Sequence, residues 1–410
     1  MYYFFYLPVG TEARVRGIAW GTISLVFANV LIFLFFRLVP GWEVEFYDLT
    51  LRAGEPSLRN AVSAAFLHAG WLHLLSNMLY LGIFGPPVED RIGHTRFMIA
   101  YVGCAGLANL AQAAWVLRMA PDLSSMPILG SSGAIAGVMG LFLVRLYYVR
   151  LNFAALTFLF LQGFAKGARF ALPSIVAIGA WFALQAIYQL VTPVSGTAYI
   201  SHIAGLLFGV VLALVMGMAA EGTLERRLIL GNRYAACADW FAALGEYDAY
   251  LAKRPEDSEV LVQAARIHRV THQGQESVRR FREGIASYLR RGAVAEACDT
   301  FDEMKRLLGD VTLEAEDLLR VARGFEKAGR PSDASRAYES YGRWFPGAPG
   351  AVTALLKCAD IERKRLNNPA RAQYIYRELL AGGLSSDIES IVRERMRSTE
   401  EALERQRGAA

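Results

Sequence analysis

Residues 130–149 read GSSGAIAGVMGLFLVRLYYV, a run in which Arg145 is the only charge. A segment this long and this apolar fits a helix in the hydrocarbon core of a bilayer, which is about 30 Å thick. At its start stands Ser132, between Gly130 and Gly133. A reactive group at the edge of a membrane segment is costly to keep and points by default to a functional site.

Working outward, Ile18 to Phe36, Phe97 to Leu117 and Phe170 to Val191 are uncharged runs, and Thr197 to Ala220 is interrupted only by His202. Trp71 to Phe84 is shorter and more polar, as a helix in a bundle interior can be when protein satisfies its polar groups. With Ser132 to Val149 the count is six, so the first half is expected to be a six-span helix bundle in an all-α protein. Met1 to Arg16 has its aromatics before its charges and no small-residue cleavage site, so the first span is expected to remain as an anchor. Arg14 and Arg16, Arg91 and Arg96, and Arg145, Arg150, Lys166 and Arg169 flank alternate span ends. The positive-inside rule then puts both termini in the cytoplasm. The expected location is a bacterial inner membrane.

Composition narrows the classes further. The formal charge of +5 is spread along the cytoplasmic parts rather than gathered in a patch, so nucleic-acid binding is not expected. Cys104, Cys237, Cys298 and Cys358 are scattered without paired spacing and are expected to be buried thiols. No cofactor or metal is expected.

At Glu221 the pattern changes to amphipathic segments, which sets expected domains of 1–220 and 221–410. In the second, Ala334, Tyr338, Tyr341 and Pro346 repeat the spacing of Ala243, Tyr247, Tyr250 and Pro255. Ala297 with Phe301, and Ala372 with Tyr376, repeat its first half. Leu318, Ala322, Phe325 and Gly329 stand where a preceding helix and turn belong. This looks like degenerate tetratricopeptide repeats, in which small alanines let paired helices approach; an ordinary helical bundle is the alternative. Either way the tail offers a surface for a protein partner and no catalytic constellation. His268 and His272, with no further ligand beside them, are expected to be exposed polar residues.

Orientation then orders the polar residues. Spans two, four and six all start at the outer side, so His73 and Asn77, Ser132, and His202 converge at one depth. A serine hydroxyl needs a base, and neutral imidazole suits that role near pH 7. Ser132 is therefore the candidate nucleophile and His202 its base. His73 and Asn77, four residues apart on one helix face, form a candidate oxyanion hole with the backbone N–H of Ser132. Gly133 and Gly137 on one span, and Gly205 and Gly209 on another, are small-xxx-small faces that bring the two helices close. Each has a plainer reading alone: Ser132 as a helix cap, His73 and Asn77 as satisfied interior groups, His202 as a lipid or proton contact. Their agreement in depth favours a site. His68 and Ser131 are expected to join them in lining a hydrated cavity, and span five, or the loop before span six, is expected to move to admit substrate.

At these residues the chain resembles the rhomboid family of intramembrane serine proteases. Phe66-Leu67-His68-Ala69-Gly70-Trp71-Leu72-His73-Leu74-Leu75-Ser76-Asn77-Met78, continued by Phe84-Gly85, Val88-Glu89-Asp90 and Gly93-His94, is similar to the family's second span. Gly130 to Gly133 resembles its nucleophile motif, and Ser201-His202-Ile203-Ala204-Gly205 with Gly209 its histidine span. The resemblance implies a Ser-His dyad without a third acid, acting on transmembrane protein substrates near small, helix-destabilising residues. It departs from the family at Ala136, where some members stack an aromatic beneath the histidine. The first loop also lacks a Trp-Arg pair, with Trp42 its only tryptophan. A catalytically silent relative that binds membrane proteins as a chaperone or receptor is the alternative, disfavoured because Ser132 and His202 are both present. A six-span transporter would want charged groups at mid-membrane or an inverted repeat, and neither is evident.

Overall fold

The structure, a computed structural model, describes residues 2–159, 165–193 and 197–408. It divides into two compact units, Met1–Arg226 and Arg227–Ala410. The first contains α1 (Trp20–Leu38), α2 (Glu43–Leu49), α3 (Leu58–Ser63), α4 (Trp71–Ile92), α5 (His94–Met119), α6 (Ser132–Arg145), α7 (Ser174–Val191), α8 (Tyr199–Val215) and the start of α9 (Met218–Ala236).

Each expected span holds a helix, but the count of six is not met by length and composition. Among the described residues, only α1, α5 and α7 are long and apolar enough to cross a membrane, and α8 with α9, bent by 76°, makes a fourth if the pair is one span. α4 carries Pro86, Pro87 and three consecutive charges, Glu89, Asp90 and Arg91, near its end. α6 has 14 residues, about 21 Å at 1.5 Å per residue. It is buried at every position from Gly133 to Phe142, so neighbouring helices rather than lipid surround it and its length is not set by the bilayer. The expected fifth span is also shortened, because Phe170 to Pro173 belong to a strand. The sixth breaks at Gly217, whose φ of +70° turns the chain before α9.

The first unit, though mostly helical, also carries two small sheets that were not expected. β1 (Tyr2–Thr11), β4 (Arg150–Leu159) and β5 (Ala165–Pro173) form an antiparallel sheet in the order β1-β4-β5, with Phe153 stacked on Phe170 at 5.4 Å. A short ribbon pairs β2 (Leu51–Arg52) with β3 (Pro127–Ile128) and ties the loop before α6 to the first loop.

Polar groups fix the ends of the bundle. Glu89 on α4 accepts the backbone N–H groups of Gly21 (2.6 Å) and Thr22 (2.7 Å) and the Thr22 hydroxyl (2.7 Å). It thereby satisfies two of the donors that the first turn of α1 leaves unpaired. Glu225 on α9 accepts from Arg91 of α4 and Arg145 of α6, each at 2.7 Å.

The second unit continues α9 with α10 (Trp240–Leu251), α11 (Ser258–Val270), α12 (Gly274–Arg290), α13 (Val294–Leu308), α14 (Ala315–Lys327), α15 (Pro331–Trp344), α16 (Ala351–Lys364), α17 (Pro369–Ala381) and α18 (Ser386–Gly408). From α10 onward each helix packs on the next in chain order, the arrangement of a helical-repeat domain. The repeated alanines, Ala243, Ala297, Ala334 and Ala372, are all fully buried. The tyrosines one turn later share a role: Tyr247, Tyr338 and Tyr376 donate to Asn232, Glu326 and Asp360, each on an earlier helix. Left-handed turn residues Gly292, Gly329 and Asn367 recur 37 and 38 residues apart, in step with the sequence repeat. Two expectations are corrected. His268 is buried, with Nδ1 bonded to Gln273 Oε1 at 2.7 Å, while His272 is exposed as expected, in a left-handed turn at φ +60°. Cys237 is exposed, whereas the other three cysteines are buried; burial pushes the thiols of Cys298 and Cys358 up to about 11.

Candidate active site

The site is assembled at the start of α6. Gly130 adopts φ +120°, a conformation that disfavours any side chain, and its N–H bonds to Ala64 O at 2.8 Å. A Cβ there would lie 2.7 Å from Cε1 and 2.8 Å from Nε2 of His73, so only glycine lets that ring close over the turn. Ser131 occupies the cap position without a capping bond, and Ser132 is the first helical residue. The plain reading of Ser132 as a helix cap is therefore set aside. Its backbone N–H is among those the first turn leaves unpaired, at the positive end of the helix dipole.

His202, in the first turn of α8, faces Ser132 across a close helix pair. A Cβ at Gly205 would overlap the Gly133 carbonyl, and one at Gly209 the Gly137 carbonyl. The Ser132 hydroxyl donates to His202 Nε2 at 2.7 Å, while Nδ1 of the same ring donates to Gln185 Oε1 on α7 at 2.8 Å. That second bond selects the tautomer that leaves Nε2 free to accept. Trp181 of α7 (5.9 Å between ring centroids) and Tyr199 (6.4 Å) flank the imidazole. These three residues supply the support that Ala136 lacks, and sequence reasoning missed all of them. Gln185 left one usable signal, an amide within an apolar span that needs a partner there.

The depth of α8 is fixed from α5. Gln112 Oε1 accepts the Ser201 N–H at 3.1 Å, and Asn109 joins the Ser201 hydroxyl (3.3 Å) to the Ala61 carbonyl (2.9 Å). On α4, Asn77 is buried with no hydrogen-bond partner for its Nδ2 among the described residues. His73 Nδ1 takes a long 3.5 Å contact from the Ala69 N–H, which favours the proton on Nε2, the nitrogen beside Gly130. The structure thus brings Ser132, His202 and His73 together, with Asn77 one turn below His73. It does not leave His68 and Ser131 as an open polar lining: both are buried and bonded to each other at 3.2 Å. In the loop before α8, where movement was expected, 194–196 lie outside the described residues.

A family model described as Rhomboid domain matches residues 55–219. This part of the chain is a rhomboid domain. Among relatives, Rhomboid protein 1, mitochondrial, of Saccharomyces cerevisiae is 28% identical over 219 residues, covering 52% of this chain and 57% of its own. Rhomboid protease GluP of Bacillus subtilis is 27% identical over 266 residues, covering 63% of this chain and 46% of its own. The chain thus spans about half the length of the curated relatives it matches. A tetratricopeptide repeat protein from Parabacteroides merdae is similar at 12% identity and a TM-score of 0.19, over 55% of this chain and 93% of that one. The repeat assignment of the second unit rests on its own helix packing. A rhomboid domain with these apolar helices makes the chain a multi-pass membrane protein.

Proposed function

We propose that the rhomboid domain is an intramembrane serine endopeptidase that cleaves transmembrane or membrane-proximal segments of other membrane proteins. The observation that carries this reading is the 2.7 Å bond from the Ser132 hydroxyl to a His202 ring whose other nitrogen is held by Gln185. In the reaction Ser132 Oγ attacks the scissile carbonyl as His202 Nε2 takes its proton. The oxyanion is met by the Ser132 N–H, His73 Nε2–H and the unpartnered Asn77 Nδ2, and losing one such donor costs about 10²- to 10³-fold in rate. His202 returns the proton to the leaving amine. Water then hydrolyses the acyl-enzyme with His202 again as base.

The same proposal assigns residues 1–220 to the protease, with both termini cytoplasmic in a bacterial inner membrane. Residues 221–410 form a cytoplasmic helical domain that recruits or regulates through a protein partner. The test is incubation of the purified chain with a labelled single-span substrate, comparing wild type with Ser132→Ala and His202→Ala. Cleavage by wild type alone supports the dyad. Equal cleavage by all three ends this reading, and cleavage by none turns it toward a silent, substrate-binding relative.

A further inference from the structure

A groove of about 460 Å³ runs between α5 and α8. Ile99, Gly103 and Leu107 line it from α5, and Phe208, Val211 and Val215 from α8. Its one charged lining residue is Arg96, in the first turn of α5. From Arg96 to Leu107 the groove extends about 16 Å at 1.5 Å per residue. That is about half of a hydrocarbon core of roughly 30 Å, the depth of one leaflet. Arg96 is exposed and has no ion pair among the described residues, while Arg91 and Arg145 are both taken by Glu225. Gly103 keeps the wall open, since a Cβ built there meets nothing within 4 Å.

We propose that this groove is a lipid site holding one acyl chain of an anionic phospholipid, with the headgroup phosphate at Arg96. A transmembrane partner helix would need a face running through both leaflets, and this groove ends at Leu107. A cation at one end and an apolar trough one leaflet deep match a single phospholipid. The floor gives the site a reach into the fold: Cys104 packs against Gly137 of α6, the helix that carries Ser132. A chain lying in the groove therefore backs the α5–α6 contact.

The test uses the full chain in vesicles of equal phosphatidylglycerol and phosphatidylcholine, followed by native mass spectrometry of retained lipid. Wild type is expected to keep one phosphatidylglycerol with about fivefold preference, the ratio given by roughly 1 kcal/mol per surface cation. Arg96→Gln should keep one lipid without preference, and Gly103→Leu should keep none, both with unchanged thermal unfolding. Val211→Trp fills the same trough from α8 and replaces Gly103→Leu if that variant unfolds. Inorganic phosphate should not displace the lipid; displacement would make Arg96 a simple anion site and overturn the proposal. So would unchanged preference in Arg96→Gln, unchanged retention in a folded groove-filling variant, or a Gly103→Cys label that crosslinks to a second copy rather than to lipid.

Discussion

At the scale of single residues, the least obvious member of the site is Gln185. The proposed dyad has no carboxylate to hold the imidazole, so the ring needs another acceptor at Nδ1, and the Gln185 carbonyl lies there at 2.8 Å. Gln185→Leu is expected to lower kcat by about 10- to 100-fold with KM nearly unchanged, because the wrong tautomer impairs chemistry rather than substrate binding. Gln185→Glu, which keeps an acceptor, should recover most of that loss. Steady-state cleavage kinetics on both variants check this; equal kcat for Gln185→Leu and wild type would remove Gln185 from the mechanism. The nearness of Ser132 and His202 was expected from the sequence, where flanking glycines and the expected span orientation put them at one depth. Gln185 was not, because one amide in an apolar helix has no spacing partner, and only the rotation of α7 reveals what it faces.

At the scale of elements, the α6–α8 contact carries the site, and its glycines are the reason it can form. Gly205→Leu forces the backbones apart, because even a Cβ at this position overlaps the Gly133 carbonyl. The expected result is a loss of about 1–3 kcal/mol or more in stability together with loss of cleavage, read by unfolding in detergent and by activity. The glycine spacing was readable in the sequence, whereas the sheet was not. Lys166, Arg169 and nearby glycines look like a loop, and Phe170 to Pro173 merge by composition into the span that follows. In the repeat unit, bonds from Tyr338 and Lys357 hold the Glu326 carboxyl below the usual 4.5, against the opposing effect of burial. A depressed carboxylate contributes stability that is present above 4.5 and is lost as pH falls through its folded value. Protection of the α14 and α15 amides in the full chain, after correction for the slower intrinsic exchange in acid, should therefore fall as pH is lowered from 6 to below 4, and less so in Glu326→Gln. Identical acid sensitivity in the two proteins would count against that role.

At the scale of the whole molecule, the sequence places the change of pattern at Glu221, but the first unit extends to Arg226 and the division falls inside α9. The difference matters because Glu225 belongs to the rhomboid unit, where it bonds both Arg91 at the end of α4 and Arg145 at the end of α6. Arg145 is buried, with one guanidinium nitrogen already unpartnered among the described residues. Removing the acid from such a cluster leaves uncompensated buried charge, at a cost of about 3–5 kcal/mol. A chain ending after residue 220 thus loses a structural bond as well as the tail, and its inactivity would say nothing about the tail. Ending after residue 236 keeps Glu225. If the tail acts only by recruiting a partner, the 236-residue chain should cleave a purified substrate at the wild-type rate, whereas the 220-residue chain should be destabilised and slower. Glu225→Gln in the full chain should reproduce part of the shorter chain's defect, since it removes the charge and keeps the tail. Comparing the three by thermal unfolding and cleavage separates the two roles: a 236-residue chain that is stable yet slow assigns the tail a direct effect on catalysis.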